Sequence, residues 1–102
     1  MSGFCDLIRS RDADAKSTTG EISAIYVSPE KWGQGIGQEL LSVAAGRAHE
    51  KVFSEVTLWV LHANQRARKF YEKFGFVLDC SEKEDDRWDD FVISEVRYRK
   101  PL

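Results

Sequence analysis

The sequence predicts a mixed α/β fold with the element order β-β-α-β-α-β-β. Three observations predict it. Short runs rich in β-branched and aromatic residues alternate with two segments of helical apolar spacing. Each helical segment lies between two such runs, and strand–helix–strand units imply parallel neighbours with right-handed crossovers. Hairpin-like pairs of runs stand at both ends of the chain, which makes the sheet mixed rather than purely parallel.

Residues 4–10, FCDLIRS, form the first strand candidate. The polar, turn-rich RDADAKSTTG leads to residues 21–27, EISAIYV, an alternating second strand. Pro29 and a glycine segment follow. Residues 37–51, GQELLSVAAGRAHEK, then place Leu40, Leu41, Ala44, Ala45 and Ala48 at helical spacing. EVTLWVLH, residues 55–62, is a third strand. NQRARKFYEKFG, residues 64–75, is a helix with Asn64 as N-cap and Gly75 as its stop. FVLDC, residues 76–80, is a strand, and SEKEDDRWDD, residues 81–90, reads as a charged connection. FVISEVRYR, residues 91–99, is the last strand.

The bulk composition narrows the function. A chain of 102 residues with 42% hydrophobic and 12% aromatic residues is ordered and forms one domain with a modest core. A net charge of -2 gives no support for binding nucleic acid. No apolar run approaches the roughly 20 residues that span a bilayer, so no membrane partner is expected. The N-terminus lacks a basic start followed by an apolar core, and the chain reads as cytoplasmic. Cys5 and Cys80 lie far apart, without C-x-x-C spacing, and read as free thiols in a reducing compartment. No metal site is expected, and His49 and His62 read as ordinary surface histidines.

The segment YVSPEKWGQGIGQELL carries Gly33, Gly35 and Gly37 at alternate positions, between a strand and a helix. Glycine lets backbone approach a ligand closely, and the first N–H groups of a helix are unpaired donors at the positive end of its dipole. A pyrophosphate suits such a place. Two familiar cradles are excluded. No Lys-Ser/Thr follows the glycines, and Gln38 stands where a dinucleotide fingerprint has its third glycine. Alone, the segment is equally compatible with a glycine-rich turn.

A second motif adds to it. Asn64, Ala67, Phe70, Tyr71, Gly75 and Phe76 form N-x-x-A-x-x-F-Y-x-x-x-G-F. Together with V-x-P-x-x-W-G-x-G-x-G from Val27 to Gly37, this resembles the Gcn5-related N-acetyltransferase (GNAT) family over about residues 3–98. Trp32 departs from the Arg or Gln that the family often carries at its position.

The resemblance implies an acyl-CoA N-acyltransferase fold with acetyl-CoA as co-substrate, held where strands 21–27 and 55–61 splay apart. Backbone groups of Ile25, Tyr26 and Val27 would pair with the pantetheine arm. The N–H groups of Gly33, Gln34, Gly35, Ile36, Gly37 and Gln38 would meet the pyrophosphate. Asn64 resembles the asparagine that touches pantetheine, and is equally a plain N-cap. Tyr71 matches the tyrosine that protonates the departing CoA thiolate, the alternative being core packing. Glu21 corresponds to a glutamate that takes the acceptor's proton. By strict alternation it faces the side of Ser23, Ile25 and Val27; the alternative is an exposed strand-end carboxylate. The acidic residues Glu82, Glu84, Asp85, Asp86, Asp89 and Asp90 read mainly as a solvated loop.

The family domain usually opens with a strand, one or two helices and another strand, which nothing here matches. The expectation is therefore a single partial domain, residues 1–102, with β-edge residues Phe4, Leu7 and Ile8 near an uncovered edge and a homodimer as a way to cover it. Its function is expected to be acetyl transfer from acetyl-CoA to a small-molecule or peptide primary amine. The alternative is a non-catalytic CoA-binding or self-associating remnant.

Overall fold

A computed structural model describes the backbone of residues 3–27, 35–88 and 91–102. The elements are β1 (Gly3–Arg9), β2 (Thr19–Val27), α1 (Ile36–Glu50), β3 (Glu55–Leu61), α2 (Gln65–Phe74), β4 (Val77–Trp88) and β5 (Phe91–Pro101). The predicted order β-β-α-β-α-β-β holds. The strands form a sheet in the order β1-β2-β3-β5-β4. Helix α1 joins β2 to β3, the kind of connection that parallel neighbours require, while β1–β2 and β4–β5 are antiparallel pairs. The sheet is mixed as expected.

The chain divides into two compact units, Met1–Thr57 with Pro101–Leu102, and Leu58–Lys100. In the first unit α1 packs on β1 and β2. Its core-facing stripe is Leu41, Ala44 and Ala48, at i, i+3 and i+7, while Leu40 and Ala45 are half-buried. Two alanines let the helix come close, and Ile22 and Val56 complete this core. Polar bonds fix the start of β3. The Thr19 hydroxyl donates to Glu55 at 2.8 Å and Thr57 donates to the Gly20 carbonyl at 3.4 Å. Phe53 lies over Gly20 so closely that a Cβ there would meet its ring at 2.7 Å.

The second unit is built on aromatic side chains. Tyr71 on α2 meets Phe70, Phe76 and Tyr98, with ring centroids 5.5, 6.0 and 6.5 Å away. Leu58, Val60, Phe76, Val96 and Tyr98 are buried. Opposite charges also hold this unit. Asp79 accepts from Arg97 at 2.6 Å and from Arg99 at 3.2 Å, and Arg97 also donates to Ser81 at 2.9 Å. Arg97, buried to 4% exposure, lies 5.5 Å from the Trp59 ring centre, and Lys83 lies 4.0 Å from it.

Two expectations are corrected here. The charged run after residue 80 is not a loop, because β4 continues to Trp88. Pairing with β5 supplies the reason: Glu82 lies opposite Val96, Lys83 opposite Glu95 and Glu84 opposite Ser94. Ladder hydrogen bonds and a complementary Lys–Glu pair outweigh the low strand propensity of acidic residues. Asp89 and Asp90 lie outside the described residues.

The second correction concerns β2. Its register against β1 shifts between Asp6 and Leu7, which face Ala24 and Ile22, so Ser23 is an extra, bulged residue. Opposed residues share a face of the sheet, so the bulge reverses the alternation. Glu21 shares its face with Ala24 and Tyr26, not with Ile25.

Candidate functional site

Helix α1 starts on Gly35, whose φ of 79° is left-handed and whose side gives the helix no capping atom. Among the described residues, a Cβ at Gly35 would have nothing within 4 Å. Among the described residues no side chain caps the first turn, whose N–H groups stand at the positive end of the helix dipole. Ile36 and Gly37 are half-buried and Gln38 is exposed. Gly33 and Gln34 lie outside the described residues.

In β2, Ile25 is half-buried and Tyr26 is exposed, its ring stacked on Phe4 at 5.9 Å. Val27 pairs through its backbone with Gly3. Glu21 is not the exposed strand-end carboxylate of one sequence alternative. It is buried, and it accepts from the Ser10 hydroxyl at 3.5 Å, the Arg11 backbone N–H at 3.3 Å and the Arg11 guanidinium at 3.3 Å. Ser10 also accepts from the Asp12 N–H at 3.3 Å, so the β1–β2 loop wraps the carboxylate.

The second unit carries Asn64 and Tyr71. The Asn64 side chain accepts from the Ala67 N–H at 3.1 Å, the N-cap bond that the sequence predicts. Gly75 ends the helix at φ 109°, and the Phe76 N–H donates back to the Tyr71 carbonyl at 3.0 Å. Tyr71 is buried among aromatic rings.

A polar cluster beside Tyr71 has no counterpart in the sequence reading. The Tyr98 hydroxyl donates to Glu72 at 2.6 Å and accepts from Arg68 Nε at 3.0 Å. Arg68 also donates to the His62 carbonyl at 2.9 Å. Arg68 and Glu72 stand at i and i+4 on α2, a signal legible in the sequence, but their partner comes from β5. Burial first, and then the Glu72 carboxylate, push the Tyr98 phenol above its ordinary pKa against the opposing pull of Arg68. Elsewhere, Cys5 is a half-buried free thiol raised in pKa by burial and by Asp6. Among the described residues no helix is long and apolar enough to cross a membrane.

The geometry of the two helix starts can be set beside known proteins. The sequence model of the acetyltransferase (GNAT) family matches residues 2–76. The chain belongs to that family. It is 41% identical over 56 residues to an uncharacterized N-acetyltransferase of Archaeoglobus fulgidus, covering 55% of this chain and 38% of that protein. Over 79 residues it is 32% identical to a mycothiol acetyltransferase of Acidimicrobium ferrooxidans, covering 78% of this chain and 25% of that one. This GNAT chain therefore spans well under half of either relative. A Salmonella typhimurium structure solved with its cofactor acetyl-CoA aligns with a TM-score of 0.82 at 19% identity, over 99% of this chain and 58% of that one. At that identity the likeness shows the fold.

Proposed function

We propose that this chain moves an acetyl group from acetyl-CoA to a primary amine. The observation that carries the reading is the start of α1. A left-handed glycine with, among the described residues, no atom within 4 Å of its Cβ position and no side-chain cap suits an approaching diphosphate and does little for the helix itself. The family match and the acetyl-CoA held by the Salmonella typhimurium neighbour support the same ligand.

On this reading N–H groups from Gly33 to Gln38 hold the pyrophosphate, and backbone groups of Ile25, Tyr26 and Val27 hold the pantetheine arm, with Asn64 a further contact. A neutral amine attacks the thioester carbonyl carbon, and the carbon–sulfur bond breaks. Tyr71 gives its phenolic proton to the departing sulfur. Glu21 takes the proton that the amine loses, through water, because its own oxygens are engaged by Ser10 and Arg11. The acceptor is a small-molecule or peptide amine, and the reaction calls for no metal. The edge strand β1, with exposed Phe4, pairs with a second copy across a two-fold axis.

Thiol release from acetyl-CoA, followed with a panel of primary amines, tests the reaction. Amine-dependent release is expected, and Tyr71→Phe should lower kcat while leaving CoA-induced thermal stabilisation in place. No amine-dependent release, or a Tyr71→Phe variant of unchanged kcat, tells against the reading. Light scattering tests the dimer: a mass near 11.7 kDa removes it.

A further inference from the structure

We infer that Tyr98 is a positioning residue for the reaction, its hydroxyl locking the helix segment that carries Asn64 and Tyr71. This rests on the acetyl-transfer reading for the roles of those two residues, but the lock itself stands on geometry. Tyr98 is fully buried, at 0% exposure. A phenylalanine would fill the same apolar space, so the hydroxyl needs a reason of its own.

The reason lies in its partners. An unbonded phenol there would carry a desolvation cost of about 1–3 kcal/mol, so the hydroxyl must be bonded. Both of its bonds go to one helix. It gives its proton to Glu72 at 2.6 Å, the residue next to Tyr71, and accepts from Arg68 at 3.0 Å, one turn earlier. Arg68 extends the chain of bonds to the His62 carbonyl at 2.9 Å, and the His62 N–H in turn donates to the Ser94 carbonyl on β5 at 2.9 Å. The loop that delivers Asn64 and the turn that carries Tyr71 are thus both tied to β5.

Hydrogen bonds of this kind fix rotation and slide of a helix, which apolar packing leaves softer, because they are directional. The ring of Tyr98 also touches that of Tyr71, with centroids 6.5 Å apart. Tyr98 is not itself the proton donor to sulfur. Its proton is committed to Glu72, and burial keeps the phenol protonated at neutral pH.

The test labels the protein with 3-fluorotyrosine, which gives one 19F line each for Tyr26, Tyr71 and Tyr98. Tyr71→Phe and Tyr98→Phe assign the lines. In Tyr98→Phe the Tyr71 line is expected to move or broaden while the Tyr26 line stays in place. With an amine that supports thiol release, kcat is expected to fall on the order of tenfold or more while the acetyl-CoA KM stays within about twofold. A purely structural hydroxyl would lower the melting temperature and leave both the Tyr71 line and kcat unmoved, which overturns the inference. If Tyr98→Phe does not fold, Glu72→Ala removes the acceptor from the exposed side and is read in the same way. Absence of thiol release in the parent protein defeats the acetyl-transfer reading, and the 19F lines still decide the lock. An unchanged kcat in Tyr71→Phe defeats the role of Tyr71 alone.

Discussion

Helix α1 begins on a glycine and ends beside a valine; helix α2 begins on an asparagine and ends on a glycine. The second arrangement is what helix energetics favour. Asn64 supplies an acceptor for an orphan N–H, and Gly75 takes the left-handed φ of 109° without a Cβ penalty. Helix α1 inverts both choices. Gly35 gives its start no acceptor, and Val52 holds φ at 62° just past its end, where the Phe53 N–H donates to the Ala48 carbonyl at 3.0 Å. A β-branched residue there costs roughly 1–2 kcal/mol, and Val52 is 78% exposed, so no packing offsets it. The bonds from the Val52 and Phe53 N–H groups to His49 and Ala48 account for the left-handed turn, but among the described residues nothing explains a valine there. On the proposed acetyl-CoA reading, the inversion at Gly35 suits a ligand that needs bare backbone.

Four measurements would break or sharpen this contrast. The largest effect is expected at Asp79, in the unit of the well-capped helix. Replacing it with Asn removes the carboxylate that buried Arg97 shares with Arg99 and should cost about 3 kcal/mol at pH 7, read from urea unfolding. The pH dependence has a definite sign. Burial alone would raise the Asp79 pKa, but the Ser81 N–H, Arg97 and Arg99 together hold it below its ordinary 3.8. Its contribution is therefore present above about pH 4 and is lost as the pH falls through the lowered folded pKa. The gap between parent and Asp79→Asn should narrow in acid below pH 4; a gap that is constant with pH would show that the ion pairs are not its source.

Next is Gly35→Val. On the proposed reading a side chain here blocks the diphosphate, so the stabilisation of about 2.7 kcal/mol expected from CoA at one hundred times its dissociation constant should vanish. The unliganded protein should stay folded but melt lower, because a valine at φ 79° costs roughly 1–2 kcal/mol. A melt shift that survives the substitution would mean that the glycine start serves no ligand.

Asn64 separates cap from contact. Asn64→Ala should cost about 1 kcal/mol through loss of the bond to the Ala67 N–H, whereas Asn64→Asp should keep the cap. If Asn64→Asp holds its melting temperature but gains less from CoA, Asn64 touches the ligand as well as the helix. Equal CoA shifts in parent and Asp variant would leave it a cap alone.

The smallest effect is a gain. Val52→Gly relieves the positive φ but adds unfolded-state entropy, for a net stabilisation of about 0.5 kcal/mol in a thermal melt. A loss instead would show that Val52 does something the free chain does not display.

Which features were legible beforehand follows from how local they are. The strand and helix order, the Asn64 cap and the Gly75 stop depend on residues within a turn of one another, and spacing alone settles them. The paired glycine and N…FY…GF motifs likewise led to the family from linear pattern, as did the choice of Glu21, Tyr71 and the α1 start as candidates. What the linear pattern could not contain was pairing at a distance. Ser23 bulges because β1 and β2 differ by one residue between fixed ends, and that extra residue reverses which face Glu21 shares. The acidic run became strand because β5 lay beside it with Val96, Glu95 and Ser94 in register. Tyr98 found Arg68 and Glu72 across 30 and 26 residues of sequence, and Arg97 found Asp79 across 18. Local propensity is set by each residue's own backbone and its near neighbours. Register, burial and buried hydrogen-bond partners are set by whichever segments the folded chain brings together, and only the tertiary structure decides those.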